Sequence, residues 1–120
     1  MSNPVTENNG INAVIKYEAD QGRRCVNRVH KYGYDLISKG DNGEERHIEV
    51  KATSKTAFSS RWLEQLEYDA MKHDDKWFLY LVTDANGSAR VIVYDRTKAE
   101  NRFAKIIYNY KLVFPKSDFK

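Results

Sequence analysis

Two short segments of the chain place acidic and basic side chains at a spacing that suits metal-dependent hydrolysis. Residues 33–38 contain Asp35, and residues 46–51 contain Glu49 and Lys51. Two carboxylates can hold a divalent metal ion, and a lysine beside them can serve a metal-bound water and the charge that develops on a phosphate. These residue types therefore indicate a metal-dependent phosphodiesterase.

The residue numbers define when these side chains share one face of a hairpin. Side chains alternate between faces along a strand, so Glu49 and Lys51 point the same way. Asp35 lies opposite Glu49 in an antiparallel pair if the turn centres on Asn42, within the turn-forming residues 39–43. The hypothesis requires a loop of three or five residues, or a bulge, because a two-residue turn would send the carboxylates to opposite faces.

The remaining chain predicts the elements that position this hairpin. Two segments have apolar residues at helical spacing and begin after polar residues that can cap a helix. They are residues 10–21, capped by Asn8 or Asn9, and residues 62–73, capped by Ser59 or Ser60. The predicted strands cover residues 34–39, 45–52, 77–83, 90–94 and a last edge strand at 106–114, with a helical turn over 97–103.

The length of 120 residues favours one compact domain over residues 1–120. The hydrophobic content of 41% and the charged content of 31% are typical of a globular protein in water. No apolar stretch approaches the ~20 residues of a membrane span, and the polar N-terminus does not resemble a signal peptide. With a single cysteine, Cys25, we expect a cytoplasmic protein without a membrane partner.

The net charge is only +3, but the basic residues are unevenly distributed. Seven basic residues stand against two acidic ones between Arg96 and Lys120. Such asymmetry is typical of a surface that faces phosphates, and equally of solvated faces around an ordinary domain. Arg23 and Arg24 could contact phosphate near the site, although arginines at a helix end also complement its macrodipole.

The acidic hairpin resembles the signature of the PD-(D/E)XK nuclease superfamily, an Asp at a strand start followed by (Glu/Asp)-x-Lys on the next strand. Here these positions are Asp35 and Glu49-Val50-Lys51. More narrowly, the surrounding segments are similar to the protein NO VEIN C-terminal domain family, including Tyr17-Glu18 and Gly22-Arg23. The resemblance covers roughly residues 10–96 and implies an α/β fold with a restriction-endonuclease-like core, in which helices flank a mixed central β-sheet. Residues 97–120 would then form a C-terminal extension.

The resemblance also implies roles for individual residues. Asp35, Glu49 and the Val50 carbonyl would bind Mg²⁺, for which Mn²⁺ can substitute, and Lys51 would assist the attacking water. An acid on the first helix often reaches the metal, but this chain has Gly10-Ile11-Asn12 where members carry a Gly-Glu pair. Either Glu18 or Glu7 could take that place.

The second helix often contributes a residue that orients the water in this superfamily. Its candidates are Glu64, Gln65 and Glu67, among which the sequence does not fix the helical register. The expected catalytic residues are Asp35, Glu49, Lys51, Glu18 and Gln65. The residues expected to contact nucleic acid are Arg23, Arg24 and Lys55.

The function predicted from these residues is a metal-dependent endonuclease, with DNA favoured over RNA as its substrate. The alternative is an accessory module on the same fold that binds nucleic acid or protein without cleaving. Retention of Asp35, Glu49 and Lys51 favours the enzyme. Small domains of this class often dimerise, so the expected protein partners are a second copy or a protein that directs the domain to its substrate.

Overall fold

The structure is a computed structural model that describes residues 3–27, 32–106 and 109–120. Its helices are α1 (Pro4–Asp20), α2 (Gln65–His73) and α3 (Arg96–Asn101), followed by a final 3-10 helix at Lys116–Phe119. Its strands are β1 (Arg24–Asn27), β2 (Leu36–Lys39), β3 (Glu45–Ala52), β4 (Ser60–Trp62), β5 (Trp77–Thr83), β6 (Arg90–Asp95), β7 (Phe103–Ile106) and β8 (Asn109–Val113).

The central sheet has five strands in the order β1-β2-β3-β5-β6. Only β3 and β5 are parallel among its neighbouring pairs, so the sheet is mixed. Alternate residues of β5 enter separate cores: Tyr80 and Val82 pack with Val14 of α1, whereas Leu79 and Leu81 pack with Met71 of α2. Helices therefore cover both faces, and the predicted α/β class with a mixed sheet is confirmed.

Helix α1 begins six residues before the predicted start at residue 10, at Pro4. The side chain of Asn3 accepts a hydrogen bond from the Val5 amide at 2.9 Å, and proline is favoured at the first helical position. The predicted caps Asn8 and Asn9 are therefore wrong, because both lie inside the helix. The earlier start also places Glu7 on the first turn of α1.

The predicted hairpin has the register that the hypothesis requires. Leu36 pairs with Ile48 and Lys39 pairs with Glu45, which leaves a loop over residues 40–44. This five-residue loop is of the odd length that the hypothesis requires, and the pairing ends at Leu36 and Ile48, next to Asp35 and Glu49. Strand β3 has its predicted bounds, whereas β2 begins at Leu36, so Asp35 directly precedes it. Strand β1, which the sequence did not reveal, pairs along the outer edge of β2.

The second helix begins at Gln65 rather than at residue 62. Residues 60–62 form β4 instead, because this segment pairs with β8 near the C-terminus. The helix is capped by Glu64, whose side chain accepts from the Glu67 amide while the Glu67 side chain accepts from the Glu64 amide. The predicted caps Ser59 and Ser60 are therefore wrong.

The C-terminal extension forms a second, three-stranded sheet together with β4, in the order β4-β8-β7. Strand β5 has its predicted bounds and β6 gains one residue. The predicted edge strand over 106–114 instead covers the end of β7 and all of β8, with residues 107–108 outside the described part of the chain. Because β8 lies between two strands, the prediction that it is an edge strand is wrong.

The close approach of α1 to β3 gives a stability prediction. A Cβ atom on Gly10 would come within 2.5 Å of the Ala52 Cβ atom, which cannot rotate away. In an unobstructed helix interior, Gly→Ala would stabilise by about 1 kcal/mol. We expect Gly10→Ala to lower the free energy of unfolding by roughly 1–3 kcal/mol instead, because overpacking outweighs helix propensity.

Urea denaturation of the wild type and the variant measures this change. The matched control is Asn12→Ala, an exposed position of the same helix, which should be neutral or stabilising by up to ~0.7 kcal/mol. An increase in stability for Gly10→Ala would show that α1 and β3 are not in contact at this point.

Candidate active site

A cavity of about 360 Å³ lies beside the second half of β3. Strand β2 ends its pairing with β3 at Ile48, whereas β5 continues along the opposite edge to Ala52. The cavity occupies the side that β2 leaves uncovered. Its lining residues are Glu7, Asn8, Ile11, Asp35, Glu49, Val50, Lys51, Ala52, Arg61, Glu64 and Glu67.

The backbone of β3 exposes specific polar groups to this cavity. His47 donates its amide to Lys76 and Thr53 donates its amide to Val82, so odd-numbered residues of β3 bond towards β5. Val50 therefore presents its amide and its carbonyl to the opposite edge, because both groups of one strand residue project the same way. The Val50 amide donates to Asp35 Oδ2 at 2.8 Å, which holds the Asp35 carboxylate beside the Val50 carbonyl.

Glu49, Lys51 and Glu67 form a buried charged cluster on the α2 side of the sheet. Lys51 Nζ lies 2.8 Å from Glu67 Oε1 and 3.3 Å from Glu49 Oε2. Burial raises the pKa of Glu49 well above its ordinary range, and the nearby Glu67 and Asp35 carboxylates raise it further. The Lys51 ammonium lowers this pKa, but by less than burial raises it. Although burial acts to lower the pKa of Lys51, Glu49 and Glu67 raise it overall, so Lys51 is held as a cation.

The capping interaction of α2 selects which residue of the second helix enters the cavity. Glu67 is 1% exposed, and its Oε1 atom accepts from both Lys51 Nζ and the Glu64 amide. Gln65 is exposed and donates instead to Asp69 at 2.9 Å. The predicted catalytic residue Gln65 therefore lies outside the cavity, and of the three candidates Glu67 and Glu64 line it.

Glu18 also lies outside the cavity, on the α1 side of the sheet. It is fully buried, accepts hydrogen bonds from Ser38 Oγ at 2.7 Å and Tyr80 OH at 2.9 Å, and lies 3.2 Å from Arg23 Nε. These contacts tie α1 to the sheet. The acid that α1 brings to the cavity is Glu7, the other candidate from the sequence.

The three predicted nucleic-acid contacts do not line the cavity. The Arg23 guanidinium is largely buried and donates to the Ser38 and Glu44 carbonyls. Arg24 and Lys55 are exposed elsewhere on the surface. The cation that sequence reasoning missed is Arg61, which reaches the cavity from β4. No local pattern marks it, because β4 forms through its pairing with β8.

The donor set has the chemistry that suits a hard divalent cation. Asp35, Glu49 and the Val50 carbonyl supply oxygen ligands of the kind that Mg²⁺ prefers. Five of the lining residues are acidic and two are basic, so a bound cation would also offset repulsion among carboxylates. Within the described ranges, no three His, Cys, Asp or Glu side chains are arranged to hold a metal by themselves.

The fold and the cavity together have the character of a restriction-endonuclease-like nuclease fold. The crystal structure of Hjc, a Holliday junction resolvase from the archaeal hyperthermophile Archaeoglobus fulgidus, is similar, with a TM-score of 0.63 and 13% sequence identity. The match covers 93% of this chain and 85% of that chain. At this identity the similarity establishes the fold.

The family is established by sequence. The model of the family described as "Protein NO VEIN, C-terminal" matches residues 6–94, so the chain belongs to this family, as its sequence signature predicted. The matched range contains the predicted metal ligands and Lys51. No curated protein matches the chain. Among the described residues, no helix has the length and apolar character needed to cross a membrane.

The buried Glu49 carboxylate gives a prediction for the metal-free protein. Because its pKa is higher in the folded than in the unfolded state, its contribution to stability is present below its ordinary pKa of 4.5 and is lost as pH rises through the folded value. We expect Glu49→Gln to raise the melting temperature at pH 8 in EDTA, with a difference that shrinks towards pH 4.5.

Differential scanning calorimetry across this pH range tests the expectation. Glu100→Gln is a matched control at a partly exposed carboxylate on α3, and it should show no comparable pH-dependent gain. A Glu49→Gln variant that is less stable than the wild type at every pH would show that the Lys51 interaction outweighs the cost of burying the charge.

Proposed function

We propose that this protein is a metal-dependent endonuclease that hydrolyses phosphodiester bonds in nucleic acid, with DNA as the favoured substrate. The observation that carries the proposal is the convergence of Asp35, Glu49 and Lys51 on one cavity, beside the Val50 carbonyl. The similarity of the fold to a Holliday junction resolvase supports a nucleic-acid substrate.

Asp35, Glu49 and the Val50 carbonyl would hold the metal ion, Mg²⁺ or Mn²⁺ in its place. When bound, the ion supplies Lewis-acid charge for the phosphate and lowers the pKa of water. The acidic surplus of the cavity, five carboxylates against two cations, would repel a phosphate in the absence of such an ion. Metal binding should therefore precede productive binding of the substrate.

The protein's own residues then have separate tasks. Lys51 stabilises the negative charge that develops on the phosphate, and its raised pKa suits it to act as a cation rather than a base. Glu67 positions the Lys51 ammonium through the 2.8 Å contact. Glu7 is the acid that α1 contributes to the cavity lining, and its side chain is exposed.

The proposal extends to the surroundings of the site. Residues 1–120 are taken as one nuclease domain in the cytoplasm, and Arg24 and Lys55 as exposed contacts to nucleic acid outside the cavity. A second copy of the chain or a directing protein is the proposed protein partner.

A second candidate is a module that binds nucleic acid or protein without cleaving. The ion pair between Lys51 Nζ and Glu49 Oε2, 3.3 Å apart, favours this reading because it engages a proposed metal ligand. Calorimetric titration with Mn²⁺ separates the two. The nuclease predicts binding that is weakened by Asp35→Asn, whereas the module predicts no specific uptake by either protein.

The direct test is cleavage of labelled single-stranded, duplex and branched DNA, and of RNA, with Mg²⁺ or Mn²⁺. We expect Lys51→Ala to lower the rate by about 100-fold or more, because a charge that stabilises the transition state is removed. Lys16→Ala, on the outer side of α1, should retain full activity. Equal rates for Lys51→Ala and the wild type would overturn the proposed site.

The second helix gives a separate prediction about which side chain supports Lys51. We expect Glu67→Gln to reduce cleavage on the order of 10–100-fold, as is common for residues that orient a catalytic group. Gln65→Ala should leave the rate unchanged, since its side chain lies outside the cavity. The reverse pattern in single-turnover kinetics would return the catalytic role to Gln65.

A further inference from the structure

We propose that Arg61 is a phosphate-binding residue of this site and that the C-terminal extension, residues 97–120, positions it. The inference deepens the proposed function and rests on it. Arg61 lies outside the central sheet, on the short strand β4, yet its side chain lines the same cavity as Asp35 and Glu49.

The extension supplies the backbone that holds β4. Arg61 pairs with the fully buried Leu112 of β8, and the Phe114 amide donates to the Ser59 carbonyl at 3.0 Å. Residues 112 and 114 lie beyond the family match, which ends at residue 94. The placement of Arg61 therefore depends on a part of the chain outside the shared family core.

The guanidinium of Arg61 is supported on an aromatic platform. Its Cζ atom lies 5.6 Å from the centre of the Phe58 ring. Phe58 packs in turn against Phe114 and Phe119, with ring centres 6.0 and 6.2 Å apart. This cation–π contact holds the guanidinium near the ring, and the N–H donors, which lie in the plane of the guanidinium, can bond a phosphate.

The point at which Arg61 contacts β3 identifies the phosphate of the nucleic acid that Arg61 would bind. Arg61 Nη2 donates to the Ala52 carbonyl at 3.4 Å, a long hydrogen bond. Ala52 lies two residues after Val50, an offset of ~6.6 Å along the strand on the same edge. A nucleic acid whose scissile phosphate lies beside Val50 would thus present a neighbouring phosphate to Arg61.

Charge and burial separate the tasks of the two cations in the cavity lining. The Lys51 side chain is 13% exposed and lies 3.3 Å from the proposed metal ligand Glu49, so its charge would act beside the scissile phosphate. Arg61 has five N–H donors and can bond the Ala52 carbonyl and a phosphate oxygen together. It would draw an anionic strand towards a cavity whose other charged groups are mostly acidic.

The test compares Arg61→Gln, Arg61→Lys and Lys16→Ala, each first checked for folding by circular dichroism. Arg61→Gln removes the charge but retains an amide donor for the Ala52 carbonyl. Binding of fluorescent duplex and branched DNA is measured by anisotropy across a KCl series with Ca²⁺, and cleavage kinetics are measured with Mg²⁺.

We expect Arg61→Gln to raise Kd about 10-fold and to reduce the salt dependence of binding by about one counterion, as loss of one phosphate contact does. KM should rise more than kcat falls, and Arg61→Lys should recover most of the affinity because its ammonium also binds phosphate. Lys16→Ala should leave Kd and KM unchanged, because Lys16 lies outside the cavity lining.

The outcomes distinguish this inference from the nuclease proposal. Unchanged Kd, KM and salt slope in folded Arg61→Gln, alongside wild-type cleavage, would overturn the phosphate-binding role and leave the nuclease standing. If Arg61→Gln binds DNA more weakly and with less salt dependence, but neither the wild type nor any variant cleaves DNA, the phosphate-binding role of Arg61 is supported and the nuclease proposal is overturned. A wild type that binds none of the DNA probes would overturn the role of Arg61 directly.

Discussion

The site depends on the difference in length between two neighbouring strands. Strand β2 stops pairing at Leu36, while β3 continues to Ala52 with β5 on its other edge. A backbone amide left without a partner at this edge would be costly. The Asp35 side chain accepts the Val50 amide and so replaces the missing strand. The same arrangement leaves the Val50 carbonyl facing the cavity.

Burial of a carboxylate has two different meanings in this fold. Glu18 is fully buried, but Ser38, Tyr80 and Arg23 satisfy its oxygens between α1 and the sheet. Glu49 is buried beside a cavity with Glu67 and Asp35 nearby, and its pKa is raised. The first arrangement stabilises packing, whereas the second stores an electrostatic cost that a bound cation would relieve. The two carboxylates differ in position, because Glu49 lines the cavity and Glu18 does not.

The sequence could predict the parts of the site that local geometry controls. Alternation along a strand and the symmetry of a turn were sufficient to predict the register of β2 against β3 and to place Glu49 and Lys51 on one face. The start of α2 was not predictable in this way, because β4 takes residues 60–62 by pairing with distant β8. The choice of Glu67 among the three candidates and the position of Arg61 were therefore beyond local reasoning, since both depend on contacts without periodicity in the sequence.

The walls of the cavity are held by interactions that lie largely outside it. Contact between Gly10 and Ala52 fixes α1, the hairpin register fixes Asp35, and the capping box fixes Glu67. The five carboxylates that line the cavity repel one another, and this repulsion would separate the helices from the sheet if they met only at the cavity. Cores on both faces of the sheet oppose that separation. A fold shared at 13% identity can thus retain its scaffold while the side chains that line this edge determine the chemistry.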